Sequence, residues 1–442
     1  MKRIAACSSA VLLLLALSAC SDLPVTPKAR EPARSPEATL VPRADGLSCT
    51  EPDARLSSGA LFVVCVPAAS WNGDIVVFIP GYHDPARAPR LPDGLSESPA
   101  SFLFTGLGYA FASTSFRGTG LIEPDTWIGG DLLELVGTAK TLLLNTTGRN
   151  TRFVYQTGGS QGGLGTVLAV ERYPGVFSGG LAACGPIGDY RRQISYVSDF
   201  RVVFDYYFAD AIPAWPVWRQ DLTIGDPGYI DPDAWPTAQA SAGAAVDDPT
   251  NATRIQQVLG VTRAPIDAGN PLTIKATTLD ILWYSFRGTN DAILKLGGMP
   301  FGNLNRLYTG SLDDGTLNGG VQRFQSTADP LLVGKLQTSG NLRRPLVTIH
   351  TTGDPIVPIW HESLYRNKLS FLGKLLESRI TIERYGHCNF TDAEVLAAFA
   401  VLVFDVSGVN LVATSKVLPQ REAQAEFLRL SQQYGTSPLV MQ

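Results

Sequence analysis

Three residues far apart in the chain, Ser160, Asp354 and His387, are of the types that nucleophilic acyl chemistry needs. A serine hydroxyl is a poor nucleophile near neutral pH. A histidine in contact takes its proton, and a carboxylate fixes that histidine's tautomer and stabilises the imidazolium. Ser160 lies in Thr157-Gly158-Gly159-Ser160-Gln161-Gly162-Gly163, with glycines two places before and two places after it. On a sharp strand-to-helix turn those two positions have room for almost no side chain. The pattern fixes only three places, so a glycine-rich loop in some other α/β fold is the alternative. The chain has four histidines. His83 falls in a loop, His350 inside an apolar strand, and His361 at a helix start only seven residues after Asp354, which leaves His387, at a strand end behind Gly386. Asp313 and Asp329 compete with Asp354, but neither ends an apolar run. The histidines are scattered without metal-ligand spacing, and Asp226, Asp231, Asp233, Asp313 and Asp314 do not follow a calcium loop, so no metal or other cofactor is expected.

The elements that must hold these residues read as strands alternating with helices. Arg152 to Gln156 is a β-rich run leading into the serine turn, and Leu164 to Arg172 has good helix formers and no proline. Ile75 to Ile79 ends in Pro80-Gly81-Tyr82-His83, and Tyr109 to Thr114 ends in Phe116-Arg117-Gly118-Thr119-Gly120. Ala60 to Val66 and Asp74 to Ile79 flank Trp71-Asn72-Gly73, a hairpin signal. A helix is expected over about Gly129 to Leu144, and a short strand of small residues over Gly179 to Cys184. Pro345 to His350 runs to Gly353-Asp354, Arg379 to Arg384 runs to Gly386-His387, and a helix follows from Asp392 to about Phe404. Such alternation predicts a mostly parallel, doubly wound sheet with the site at the carboxyl ends of its strands. Residues 186–340 break the alternation and hold four of the seven tryptophans, Trp215, Trp218, Trp235 and Trp283. They are read as an inserted, mainly helical cap whose aromatics chiefly form its own core. Val417 to Gln433 reads as a polar surface helix.

The order Ser160, Asp354, His387, each at a strand's carboxyl end, is the chain order of α/β-hydrolases, and the core over 47–185 and 341–442 resembles that superfamily. Within it the Ser160 motif resembles that of acetyl xylan esterases and cephalosporin deacetylases. Arg117-Gly118-Thr119-Gly120 is similar to a loop those enzymes share with prolyl-oligopeptidase relatives, and Pro80-Gly81-Tyr82 matches their His-Gly-Tyr loop except at the first place. The resemblance implies an oxyanion hole made by the backbone N–H groups of Tyr82 and Gln161. Arg117 is read as a charge tying loops together beneath the site, with substrate binding as the alternative, and His83 as a helper or cap of the oxyanion loop.

The rest of the composition narrows partners and compartment. The 36 Lys+Arg nearly balance the 40 Asp+Glu, and only 17% of residues are charged, so there is no basic face for nucleic acid. Lys2 and Arg3 precede an apolar run, Val11 to Leu17, that is too short to span a bilayer. Leu17-Ser18-Ala19-Cys20 resembles a bacterial lipobox. That resemblance implies removal of 1–19, acyl chains on Cys20, and a protein exported and lipid-anchored to the cell envelope; ordinary cleavage to a secreted soluble protein is the alternative. Residues 20–46, rich in proline, read as a tether.

Export makes disulfides available to Cys49, Cys65, Cys184 and Cys388, which allow three pairings. In a doubly wound hydrolase sheet the histidine loop folds back over the strand end at Cys184, which brings Cys388 within reach of it; two buried free thiols are the alternative. Tannase-like and feruloyl esterases are similar in bonding the residue after their histidine to a cysteine, although theirs sits beside the serine, where this chain has Gly159. The reading is therefore a serine hydrolase of small-molecule or polymeric carboxylic esters. A prolyl-oligopeptidase-like peptidase or aminopeptidase is the rival within enzymes, and a catalytically silent binding protein the rival outside them.

Overall fold

Strands β4 (Ile75–Ile79), β6 (Val154–Gly159), β7 (Gly179–Ala183) and β8 (Leu346–Gly353) form the centre of the sheet in the computed structural model, which describes residues 38–92, 104–209, 211–212 and 234–408. Around them stand β1 (Val41–Pro42), β2 (Ser48–Cys49), β3 (Phe62–Val66), β5 (Ala110–Thr114) and β9 (Glu377–Tyr385). The lateral order is β1-β2-β3-β5-β4-β6-β7-β8-β9. Pairing is antiparallel from β1 to β5 and parallel from β5 to β9. This mostly parallel sheet, wound on both faces by helices, is the expected α/β-hydrolase fold.

The apolar runs are continuous because both faces of the central strands are covered. Ile75, Val77 and Ile79 of β4 join the core on one side, while Val76 joins the core on the other. Helices α1 (Leu133–Thr147), α2 (Gln161–Arg172) and α9 (Trp360–Lys368) cover the first face; α11 (Asp392–Ser407) covers the second. Local sequence sets their limits. A π-helical turn, Trp127–Leu132, leads into α1, which stops at Gly148 in the left-handed conformation. Thr391 and Glu394 form a reciprocal capping box at the start of α11. Phe399 of α11 then packs 4.6 Å from Phe104 and 5.2 Å from Tyr109, centroid to centroid.

Two expectations about the first strands are corrected. The Asn72-Gly73 turn does not join a hairpin: β3 and β4 both pair with β5, on its opposite edges. Asn72 N–H instead bonds Gly108 O at 2.8 Å, so the turn is held by the β5 approach and not by a partner strand. The stretch read as tether is already in the sheet at β1, where Val41 and Pro42 pair with Cys49 and Ser48. β1 is exposed and only two residues long, so it leaves no apolar period to read.

The inserted segment is helical where it is described: α3 (Tyr190–Tyr207), α4 (Trp235–Asp247), α5 (Ala252–Thr262), α6 (Leu272–Leu296), α7 (Asp314–Gly320) and α8 (Pro330–Lys335). Its aromatics build its own core as expected, with Phe200, Phe204, Phe208, Trp235 and Phe286 buried together. That core also takes in Ile356 and Val357, from the loop that follows β8. The leader with Cys20, most of the tether, Trp215, Trp218, Asp226, Asp231, Asp233 and the helix expected at Val417 to Gln433 lie outside the described residues. Among the described residues no helix is long and apolar enough to cross a membrane.

Candidate active site

Ser160 joins β6 to α2 with φ 57° and ψ −125°, a conformation that a side chain makes costly and that marks a turn held by its surroundings. Its glycine neighbours are required by space. A Cβ on Gly158 would stand 2.4 Å from Gly162 O, and one on Gly162 would stand 2.1 Å from Ile79 O. Ser160 N–H bonds Ala183 O at 2.9 Å, tying the turn to the end of β7. Five non-glycine residues among those described have positive φ, and three of them, Ser160, Cys184 and Cys388, gather here.

Asp354 follows the end of β8 and is fully buried. Its Oδ1 accepts from the N–H groups of Ile356 and Val357, both at 2.9 Å, and its Oδ2 lies 2.8 Å from His387 Nδ1. Burial opposes its charge, but the nearby His387 and hydrogen bonds to His350 and His387 prevail, and its pKa falls to about 2. His387 stands on the turn after β9. Gly386, at φ 111°, donates to Gly353 O at 3.1 Å and accepts from Thr351 Oγ1 at 2.6 Å, so the histidine turn is pinned to the acid's strand. His387 Nε2 lies 3.7 Å from Cys388 Sγ, and that sulfur lies 3.7 Å from where a Cβ on Gly159 would be. The ring is thus carried to the serine turn, although Ser160 Oγ and His387 are not hydrogen-bonded; such bonds commonly tighten only with substrate in place.

The other histidines have different duties. His361 Nδ1 accepts from Gly188 N–H at 3.0 Å and Asp189 N–H at 3.3 Å, and its Nε2 faces Gln193 Oε1 at 2.9 Å. These partners require a neutral ring that donates through Nε2. Complete burial also keeps its pKa well below the usual value, so it anchors the entry to the cap. His83 presents its carbonyl to Gly120 N–H at 3.0 Å. Arg117 binds the buried Asp131 through its side chain, and its backbone N–H donates to the same carboxylate at 2.9 Å. It closes its own loop, as its structural reading expects.

Gly81 packs against the serine turn, its Cβ position 3.6 Å from Ser160 Cβ. Among the described residues none accepts a hydrogen bond from the backbone N–H of Tyr82, the next residue. Gln161 opens α2, so its N–H has no acceptor within the helix and lies at the positive end of the helix dipole. The Gln161 side chain accepts from Ile122 N–H at 3.0 Å and donates to Gly120 O at 2.9 Å, a bridge to the Arg117 loop that the sequence does not announce.

Both expected disulfides are present. Cys49 and Cys65 are direct register partners on β2 and β3, and Cys184 and Cys388 are joined with their Cα atoms 5.4 Å apart. Cys184 and Cys388 also meet His387, but their sulfurs are bonded to each other and offer no thiolate to a metal. The second bridge fixes the residue after His387. Reduction is therefore expected to lower activity by about tenfold before circular dichroism shows unfolding; full activity in the reduced, folded protein would exclude a positioning role for the bridge.

A pocket opens beside Ser160 between core and cap. Tyr82, Tyr190 and Tyr284 stand around it, with Ile194, Val197 and Val357. Tyr190 and Tyr284, and Asp280 on α6, are site residues that sequence reasoning missed. Burial raises the Asp280 pKa, partly offset by the nearby His387.

No protein-family model matches the chain, and no curated protein matches it. Among solved structures it is similar to the rice cell wall degrading esterase LipA from Xanthomonas oryzae, at 12% identity over 88% of this chain and 90% of the esterase, with a TM-score of 0.39. Feruloyl esterase B from Aspergillus oryzae is similar at 13% identity over 81% of this chain and 79% of its own, with a TM-score of 0.41. The acylaminoacyl peptidase of Pyrococcus horikoshii is similar at 13% identity over 74% of this chain, with a TM-score of 0.33; the chain spans 35% of that peptidase's length.

Proposed function

We propose that the chain is an exported serine hydrolase that cleaves carboxylic esters through an acyl-enzyme. The observation that carries this is the hydrogen bond between buried Asp354 and half-buried His387, on a turn beside the strained serine between β6 and α2. Ser160 Oγ attacks the ester carbonyl while His387 Nε2 takes its proton. The oxyanion is held by the N–H groups of Tyr82 and Gln161. His387 then gives the proton to the leaving alcohol, and water repeats the sequence to release the acid and restore Ser160. Asp354 fixes the tautomer that leaves Nε2 free to accept.

Ester cleavage is favoured over aminopeptidase action by the pocket's walls. Among the described residues that line it none carries a carboxylate to hold a substrate's amino terminus; Asp280 acts on His387 and is not in that lining. The test is a panel of p-nitrophenyl esters against aminoacyl and prolyl amides, with esters expected to lead by at least about a hundredfold in kcat/KM. The reverse order would favour the peptidase. The two disulfides accord with an oxidising compartment, and Cys20 would carry the lipid that holds the body to the envelope through its proline-rich tether.

A further inference from the structure

Behind the acid lies a second histidine that the mechanism above does not use. His350 of β8 is fully buried, its Nε2 2.7 Å from Val357 O and 3.5 Å from Asp354 Oδ2, the same oxygen that faces His387. Its Nδ1 is 3.0 Å from Glu362 Oε1 on α9, and Glu362 Oε2 accepts from Thr348 Oγ1 at 2.6 Å. A carbonyl oxygen can only accept, so Nε2 must carry a hydrogen. The carboxylate of Glu362 likewise accepts from Nδ1, and a ring with both nitrogens protonated is an imidazolium. Glu362, itself buried, balances that charge.

We propose that His350, held as a cation by Glu362, is a positioning residue for the catalytic acid, sharing Asp354 Oδ2 with His387 and so lowering the basicity that Asp354 confers on His387. This rests on the reading of Ser160, His387 and Asp354 as the catalytic set. Oδ1 is already taken by two backbone N–H groups, so Oδ2 alone serves both rings. A cation on its far side draws off part of the field that would otherwise stabilise protonated His387. Burial opposes charge on His350, but the carboxylates of Asp354 and Glu362 that face it outweigh it and raise its pKa to about 10. The other groups that act on this set are His361 from α9, beside His350, Asp280 from α6, beside His387, and Tyr196 from α3, Tyr284 from α6 and Tyr385 from β9, near Asp354.

Glu362→Gln tests this with the least disturbance, because the amide still meets both Thr348 and His350 while the ring becomes neutral. The acid limb of kcat/KM, measured on the ester that the panel selects, is expected to move up by about one pH unit. Activity on that limb should fall roughly tenfold, with the plateau changed less than about threefold. A limb at the wild-type position in the folded variant overturns the proposal, whatever the plateau does. If the variant does not fold, ¹⁵N spectra of histidine-labelled wild type decide: two protonated nitrogens on His350 through pH 8 are expected, and a neutral ring at pH 7.5 overturns it. Residual turnover in Ser160→Ala or His387→Gln at wild-type level would instead remove the catalytic reading on which the proposal stands.

Discussion

Ser160→Ala is expected to lower kcat by three or more powers of ten while leaving the fold unchanged. The hydroxyl forms the covalent intermediate, so nothing else in the pocket can replace it. The Cβ is already accommodated at φ 57°, so alanine meets the same strain as serine and no new contact. The turn is fixed by glycine contacts and by the Ser160 N–H bond to Ala183 O, none of which the substitution touches. A fluorophosphonate probe should label the wild type at Ser160 alone. Labelling that persists in the variant, or turnover within tenfold of wild type, would assign the nucleophile elsewhere.

Asp354→Asn is expected to cost about four powers of ten in kcat, more than its small change in shape suggests. The orientation of the side chain is set by Oδ1, which must accept from the N–H groups of Ile356 and Val357. An asparagine therefore keeps its carbonyl oxygen there and turns its NH₂ toward His387. That NH₂ can only donate, so Nδ1 of His387 must become the acceptor and the proton moves to Nε2. The ring then points a hydrogen at Ser160 and cannot take one. Circular dichroism and thermal melting should show a folded protein. A variant within tenfold of wild-type kcat would mean that Asp354 does not set the tautomer.

The serine turn is legible in the sequence because the geometry leaves Gly158 and Gly162 no room for a side chain. Asp354 and His387 are legible because each closes an apolar run and a parallel sheet presents its strand ends on one edge. The Cys184–Cys388 bridge follows from the same placement. What stays hidden is whatever depends on a second layer. His350 reads as one more buried strand residue, since nothing in the spacing shows that Glu362, twelve residues on, returns beneath it. Tyr190, Tyr284 and Asp280 belong to cap helices whose facing is set by tertiary packing. An Asn-Gly pair announces a turn but not its partner strand, which is why β3 and β4 mislead. A two-residue exposed strand such as β1 has no pattern to show.

The bond between Cys184 and Cys388 joins residues 204 apart, and most of what lies between them is cap. The cap, together with β8 and β9, therefore lies in a covalent ring sealed beside His387, while β7 ends just outside the seal. In chain-entropy terms, closing so long a ring removes roughly 5 kcal/mol of freedom from the unfolded chain. A backbone cut anywhere within the ring leaves one molecule, its two pieces laced together beside His387, so a protease can break the continuity of the cap without releasing the proposed base.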